Sequence, residues 1–533
     1  ITDNGTFPTS LRKGGQPGAG GTGGYWKLGN EGNTYTGSTL ALAGVLEVTK
    51  LANGGQPSSI GASSSAASNL KFFRAGIKYT GTGDTTDRLF SISPGVTNPV
   101  FYPSRIDSSG TGPLVFTNTG SIGSTDVNGN ALPINNGGWL ALGGTNTHDN
   151  ILSARVGGAT AGSARFTKDG PGKWTLANTG SSYVGITEVS GGTLGIHGIA
   201  NGGFQVVMNT TQGSASTTVV SAAGLAVGQA VEGPGIAAGT TITAIDGTSV
   251  TLSQAATVTY ASGANRNKIA GVPSSIGIST NVATNLVING ATLQYLGTGA
   301  TSDRRFTVGL NGAALEASGT GPLSFTNSAA VTYAGTAART LSLTGSNTGD
   351  NTLAAAIGNS GTGVVSLVKS GSGTWVLTGA NSYTGDTTIS GGKLSVTSGS
   401  FADDSHLTVA SGSVLDLNYP SSTVDTVATL TLGGKAAPSG EWGAEGSGAQ
   451  RTSPFLAGTG RLNVVSGAFE AWAASIAGPG SRSRTADADG DGLSNLQEFL
   501  FGATPGVSDA TLVEFTRDGE NLVLRWKELL SGG

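Results

Sequence analysis

Three stretches of this chain read as versions of one sentence. Residues 23–48 are "GGYWKLGNEGNTYTGSTLALAGVLEV", residues 170–196 are "GPGKWTLANTGSSYVGITEVSGGTLGI", and residues 371–396 are "GSGTWVLTGANSYTGDTTISGGKLSV". Each has a glycine turn, then an aromatic–x–Leu pair (Trp26 and Leu28, Trp174 and Leu176, Trp375 and Leu377), then a tyrosine (Tyr35, Tyr183, Tyr383), and closes on a second glycine turn and an alternating run. Side chains two apart on a strand share a face, so each aromatic–x–Leu pair points one way.

Smaller phrases between the copies also come in pairs. "GTGPLVFTNT" from Gly110 matches "GTGPLSFTNS" from Gly319, "PSSIG" occurs at Pro57 and Pro273, and "NTHDNIL" from Asn146 matches "NTGDNTL" from Asn347. The order is therefore a super-repeat of about two hundred residues built from short strand–turn units. Helical periodicity is nearly absent before Gly467. Short alternating strands between glycine turns fit an all-β solenoid, each coil stacking on the next at the strand spacing of about 4.8 Å. About twenty such coils give a rod of roughly 100 Å.

Composition narrows the reading. Gly accounts for 90 of 533 residues and charged residues for only 11%, which on their own suit disorder, but the apolar residues alternate in bounded runs as strands do. Net charge is −4 with no basic stripe, which argues against nucleic acid as a partner. With no Cys, the fold owes nothing to disulfides or thiolate metal sites. No apolar run is long enough to be a transmembrane segment. The chain opens "ITDNGTFPTS", without Met or a signal segment, and reads as a processed product.

The copy at Gly371 resembles the autotransporter-associated β-strand repeat of bacterial surface proteins. Gly371, Gly373, Trp375, Leu377, Gly379, Asn381, Tyr383, Gly385, Thr387, Ile389, Gly392, Leu394 and Val396 fit its pattern. The resemblance implies a right-handed parallel β-helix, exported to the outer cell surface or secreted, and brings no catalytic residue with it. Such passengers often precede a membrane β-barrel, and this sequence shows none.

The expected organisation is a Gly-rich leader (1–22), a first β-helical super-repeat (23–203), an inserted small β-module (204–262), a second super-repeat (263–466), a helix and calcium-loop segment (467–506) and the start of a truncated β-domain (507–533). In the inserted module the grammar changes to tighter hairpins around "EGPGI".

Only one stretch carries site chemistry. "DADGDGLSNLQE", Asp487 to Glu498, has the spacing D-x-D-x-D-G-x5-E of a calcium loop. Asp487, Asp489 and Asp491 offer carboxylates, Gly492 the sharp turn, Leu493 its carbonyl, Asn495 a side-chain oxygen and Glu498 two closing oxygens for one Ca²⁺. A solvated acidic loop is the plain alternative. The loop resembles the single calcium loops of dockerins and thrombospondin type 3 repeats, which implies a structural clip. Phe469, Trp472 and Ile476 fall on one side of a preceding short helix.

Searches for other sites find little. His148, His197 and His406 are scattered and read as surface or turn residues. "GAGGTG" from Gly18 lacks the strand and helix of a dinucleotide site. The recurring Asp87-Arg88 and Asp303-Arg304 pairs read as inter-coil ion pairs, and the adjacent Asp403 and Asp404 make a poor glycosidase pair. The expected function is structural or adhesive rather than enzymatic, with self-association into filaments through open strand edges. The rival readings are a polysaccharide-degrading or polysaccharide-binding β-helix, and the expected partners are further copies, an extracellular polysaccharide or a cell surface.

Overall fold

A computed structural model describes residues 1–14, 24–93, 103–132, 138–157, 165–222, 224–260, 266–399, 401–465, 472–473, 476, 481–501, 507, 513–518 and 521–526. It is nearly all strand and forms two compact units, Ile1–Asn327 and Ser328–Gly533. Among the described residues no helix is long and apolar enough to cross a membrane.

In the first unit the strands stack as parallel ladders. One ladder passes from Tyr25–Leu28 to Gly44–Val48, Ala75–Tyr79, Ser104–Ser108, Trp139–Gly143, Arg165–Lys168, Thr187–Val189, Leu286–Ile288 and Thr307–Val308. Its inward row is Trp26, Leu46, Ile77, Ile106, Leu142, Lys168, Val189, Ile288 and Val308, and every member after Trp26 is buried. A second ladder carries Asp84–Thr86, Leu114–Phe116, Asn150–Leu152, Lys173–Leu176, Thr193–Ile196, Thr292–Tyr295 and Ala313–Ala317. A third carries Leu11–Lys13, Thr39–Ala41, Leu70–Phe72, Ser91–Ile92 and Gly123–Thr125. Parallel strands with apolar inward rows bury their side chains against one another, which is how so charge-poor a chain fills a core.

The register relates the copies. Leu11–Lys13 holds the same place before Trp26 as Arg165–Lys168 before Trp174 and Val365–Lys369 before Trp375. The first copy thus begins at Leu11, and more residues part its lysine from its tryptophan than in the other two. In all three copies the lysine is buried and its ammonium meets backbone carbonyls. Lys168 donates to the carbonyls of Asp169, Gly170 and Gly191, Lys369 to those of Ser370, Gly371 and Gly391, and Lys13 to that of Ala43. Burial pushes Lys168 and Lys369 down to about 8, yet the carbonyl dipoles give each ammonium a local counterpart. The signal in the sequence is an apolar–x–Lys–x–Gly phrase before each tryptophan, once the extra residues of the first copy are set aside. Corresponding strands of the first two copies lie on different ladders: the tryptophan strand of the first copy shares a ladder with the lysine strand of the second.

The ladders run past the residues from Phe204 to Ile269. Val189 pairs directly with Ile288 and Ile196 with Tyr295. The intervening chain forms its own antiparallel sheet, in the order Val231–Glu232, Arg266–Ile269, Phe204–Asn209, Ser216–Val219, Ser249–Leu252, Ile242–Asp246. Its outer strands also bond to each other, Val231 N–H to the Thr240 carbonyl and Ile242 N–H to the Gln229 carbonyl, so the sheet closes around Val206, Met208, Val231, Ile242, Val250, Leu252 and Ile269.

This small barrel sits in a turn that the first super-repeat makes short. "ANGG" at Ala52 leads almost at once to "PSSIG" at Pro57, whereas "ANGG" at Ala200 reaches "PSSIG" at Pro273 only through the barrel. Both turns are held alike, and here the expected Asp–Arg ion pairs are corrected. Asp87 accepts the Gly54 N–H at 2.7 Å while Arg88 donates to the Ala52 carbonyl (2.9 Å), the Gly61 carbonyl (3.0 Å) and Ser63 Oγ (3.0 Å). Asp303 accepts the Gly202 N–H at 2.7 Å, and Arg304 donates to the Ala200 and Gly277 carbonyls (3.0 and 2.7 Å) and Ser279 Oγ (2.7 Å). On neighbouring positions of one segment the two side chains grip different parts of the turn instead of each other. Burial lowers both guanidinium groups from their ordinary range, Arg304 to about 10. Gly61 and Gly277 have φ of +79° and +72°, and a Cβ there would lie 2.5 and 2.3 Å from the carbonyl oxygens of Tyr35 and Tyr183, so both turns demand glycine.

Replacing residues 204–272 by a single glutamine, which recreates the short turn of the first super-repeat, is expected to leave the ladders folded and to shift the melting temperature by only a few degrees. Circular dichroism and a thermal melt read the outcome directly, and collapse of the strand signal would show that the barrel supports the ladder.

The second unit repeats the ladder scheme. Arg339–Thr344, Val365–Lys369, Thr387–Ile389, His406–Val409 and Thr429–Leu432 form one, and Asn351–Leu353, Thr374–Leu377, Gly392–Val396, Ser413–Leu417 and Leu456–Gly458 another. Past Leu432 the direction changes: Lys435–Ala436 folds back antiparallel on Thr429–Leu432, and Gly440–Gly443 runs antiparallel to Arg461–Val464. Near the chain end Val513–Asp518 and Asn521–Trp526 pair as an antiparallel hairpin.

Candidate functional site

The acidic loop starts from a local fold that its own side chains shape. Asp487 Oδ1 accepts the N–H groups of Gly490 (2.8 Å) and Asp491 (3.1 Å), and its Oδ2 accepts that of Gly492 (2.8 Å). These bonds hold the exposed Asp487 carboxyl below the usual carboxylate range. Asp491 accepts the Leu493 N–H at 2.9 Å, and Gly490 and Gly492 take φ of +78° and +93°. The outcome is a tight coil whose three aspartates converge, one oxygen of each lying within 4.8 Å of the others. Burial, then the neighbouring charges of Asp491 and Asp487, push the Asp489 carboxyl up.

The structure brings the three aspartates together and places the remaining expected ligands behind them. Leu493 is half-buried between the coil and a helix over Asn495–Phe501. Asn495 and Glu498, both on that helix, are fully buried. Asn495 Nδ2 donates to the carbonyls of Ser481 (2.6 Å) and Ser483 (2.7 Å), which leaves its Oδ1 buried without a hydrogen-bond partner, as is Asp489 Oδ2. Trp472 meets Phe499 edge-on at 5.9 Å, and with Ala473, Ile476, Ala488 and Leu496 they make a small apolar cluster beneath the loop. Phe469 lies outside the described residues.

The remaining candidates hold no assembled chemistry. His148 and His197 are exposed, and His406 is half-buried against Thr429 Oγ1. Asp403 and Asp404 sit in an exposed turn, where Asp404 approaches Arg484 at 3.8 Å. The glycine phrase from Gly18 lies outside the described residues. On the outer side of the first ladder the charges neutralise one another: Lys27 with Glu47, Arg105 with both Asp107 and Asp169, and Arg165 with Glu188 while stacked over Trp139 at 4.8 Å.

Comparison with known proteins bears on the repeats. Residues 23–48, 166–196 and 367–396 match the passenger-associated-transport-repeat family. A curated relative, the adhesin BmaC autotransporter of Brucella suis biovar 1 (strain 1330), is 42% identical over 181 residues, which is 34% of this chain and 5% of that adhesin. The chain thus spans about a twentieth of the length of the relative it matches. No solved structure matches it.

Proposed function

We propose that this chain is a non-enzymatic, adhesive stretch of a bacterial surface or secreted passenger, folded as a right-handed parallel β-helix. The observation that supports the reading most is the stacking of its three passenger-type repeats as parallel ladders, joined to 42% identity with an autotransporter adhesin over 181 residues. The paired surface charges and the scattered histidines give a catalytic groove no support. The protein immobilised on beads is expected to retain them on cell or abiotic surfaces. Equal retention of uncoated beads would remove the adhesive reading, and release of sugars from an extracellular polysaccharide panel would replace it with the enzymatic one. Self-association forms part of the proposal, and sedimentation at rising concentration tests it, a constant monomer being the outcome against it.

We also propose one Ca²⁺ in the acidic loop, held by Asp487, Asp489, Asp491, Asn495 and Glu498 with the Leu493 carbonyl. The donor set fits. One oxygen of each aspartate lies within 4.8 Å of the others, and the partnerless oxygens of Asp489 and Asn495 belong to expected ligands. An all-oxygen set in a flexible loop suits Ca²⁺ over Mg²⁺, and zinc lacks its nitrogen and sulfur donors here. The ion would offset the repulsion among the aspartates and fix the loop over the Trp472–Phe499 contact. Calorimetry is expected to show one site that Asp489→Ala and Glu498→Ala each weaken at least tenfold. No heat at millimolar Ca²⁺, or unchanged binding in both variants, would eliminate it.

A further inference from the structure

The two "ANGG" turns each hold an Asn–Gly pair against an aspartate from later in the chain. Gly54 N–H donates to Asp87 Oδ1 at 2.7 Å, and the Asp87 N–H donates back to Asn53 Oδ1 at 2.9 Å. Gly202 N–H donates to Asp303 Oδ1 at 2.7 Å, and the Asp303 N–H donates back to Asn201 Oδ1 at 3.0 Å. One residue thus grips the main-chain nitrogen and the side-chain carbonyl of the pair together, with its carboxylate and its own amide. The arrangement occurs twice.

An Asn–Gly pair has a chemistry of its own. The glycine nitrogen attacks the asparagine Cγ and closes a five-membered imide. The attack needs a base for the N–H proton and a donor for the carbonyl oxygen on which charge develops. Asp87 or Asp303 fills the first place with its carboxylate and the second with its N–H. Three other Asn–Gly pairs have no such base. Gly129 N–H donates to the Asp126 carbonyl, Gly290 N–H to the Gly312 carbonyl and Gly312 N–H to the Gly309 carbonyl, and a main-chain carbonyl takes up no proton at neutral pH. Packing also keeps the reactive pair in place. A Cβ on Gly54 would lie 2.3 Å from the Ser65 nitrogen, and one on Gly202 would lie 2.5 Å from the Asn281 nitrogen.

We infer that Asn53–Gly54 and Asn201–Gly202 are self-modification sites, at which the gripping aspartate drives conversion of the asparagine to an imide and then to aspartate and isoaspartate. As the glycine nitrogen bonds to Cγ, its proton passes to the aspartate carboxylate. The Cγ–Nδ2 bond then breaks, and the amide nitrogen takes up that proton and leaves as ammonia. Water opens the imide. Breaking the new bond gives aspartate, and breaking the original peptide bond gives isoaspartate. Asn53 is the faster site, because it is exposed while Asn201 is half-buried. The second oxygen of Asp303 is also engaged, by Asn281 Nδ2 at 3.1 Å. Either product loosens the turn. Aspartate sets a second carboxylate beside Asp87, and isoaspartate lengthens the main chain between the Ala52 and Gly61 carbonyls that Arg88 spans. The inference uses neither the adhesive nor the calcium reading.

The test is to age the whole chain in neutral buffer and follow each Asn–Gly pair by peptide mass spectrometry with isoaspartate detection. Asn53 is expected to convert at least tenfold faster than Asn289 and Asn311 in the same molecule. Asp87→Asn keeps an acceptor for the Gly54 N–H but removes the base, so it is expected to slow Asn53 at least tenfold and leave Asn201 unchanged. Asp303→Asn is expected to do the converse. Hydrogen exchange of the Gly61 and Gly277 amides reports whether each turn stays intact in its variant, and the comparison within the unaltered chain stands without the variants. The proposal falls if Asn53 converts no faster than Asn289 and Asn311. It falls equally if Asp87→Asn, with its turn intact, converts as fast as the parent or faster, which would make the carboxylate a guard of the pair instead of its base.

Discussion

Arg304→Ala is expected to destabilise the chain by about 3–5 kcal/mol. The guanidinium is buried and spans three acceptors from separate parts of one turn, the Ala200 carbonyl, the Gly277 carbonyl and Ser279 Oγ. Alanine leaves a void between them and removes a charged donor from each, so the Ala200 and Gly277 carbonyls keep only Ser302 Oγ and Ser274 Oγ and Ser279 Oγ loses its donor, each lost bond to the guanidinium costing about 1.5–3 kcal/mol before relaxation. Lysine does not rescue the site, because one ammonium cannot reproduce the planar fork that meets three directions. Arg88→Ala should cost a similar amount, since its bonds to Ala52, Gly61 and Ser63 are the same in kind. The two losses should add, having no shared partner. Urea titration followed by exchange of the Gly277 and Gly61 amides reads both effects locally. A change under 1 kcal/mol in both variants would show that water satisfies these turns and that the arginines are dispensable.

The second large effect is a contrast. Trp375→Ala is expected to cost about 3–5 kcal/mol, the usual penalty for emptying a fully buried aromatic site. Trp26→Ala, the same letter in the same phrase, should cost less than about 1 kcal/mol, because nearly half of that side chain already faces water. Trp375 also loses its indole bond to Thr344 and its seat between Asn351 and Leu394. Parallel urea melts of the two variants decide the matter. Equal losses would mean that Trp26 is covered in solution, and equal indifference would mean that the ladder tolerates cavities at its tryptophan rungs.

Much of this was legible in the sequence because repetition and alternation are period-two signals that survive without an alignment. Trp174, Trp375 and Tyr183 point inward as the alternating pattern requires, and the aspartates of the acidic loop converge as their spacing requires. The Asp–Arg pairs were misleading for a physical reason. Their recurrence suggests inter-coil ion pairs, but both pairs sit just past a strand, Asp84–Thr86 or Thr298–Ser302, where Asp and Arg each meet the backbone of the preceding turn instead. The buried lysines leave only the recurring apolar–x–Lys–x–Gly phrase as a trace. Their partners are main-chain carbonyls, which every residue carries, so no partner residue type marks them. The exposure of Trp26 was hidden as well, because the same phrase is buried in the other two copies and only strand pairing distinguishes them.

The one-ladder offset between the first two copies has a geometric outcome for anything attached to the repeat. The "ANGG" turn follows a strand of the first ladder in one super-repeat and a strand of the second ladder in the next. On the β-helix reading those ladders look out in different compass directions, so the barrel that replaces the second turn does not stand in line with its short counterpart. An array extended by the same rule would deal its projections around the axis like treads on a spiral stair. Neighbouring modules would then clear one another without longer spacers, and a flat target approached from one side would meet only some of them.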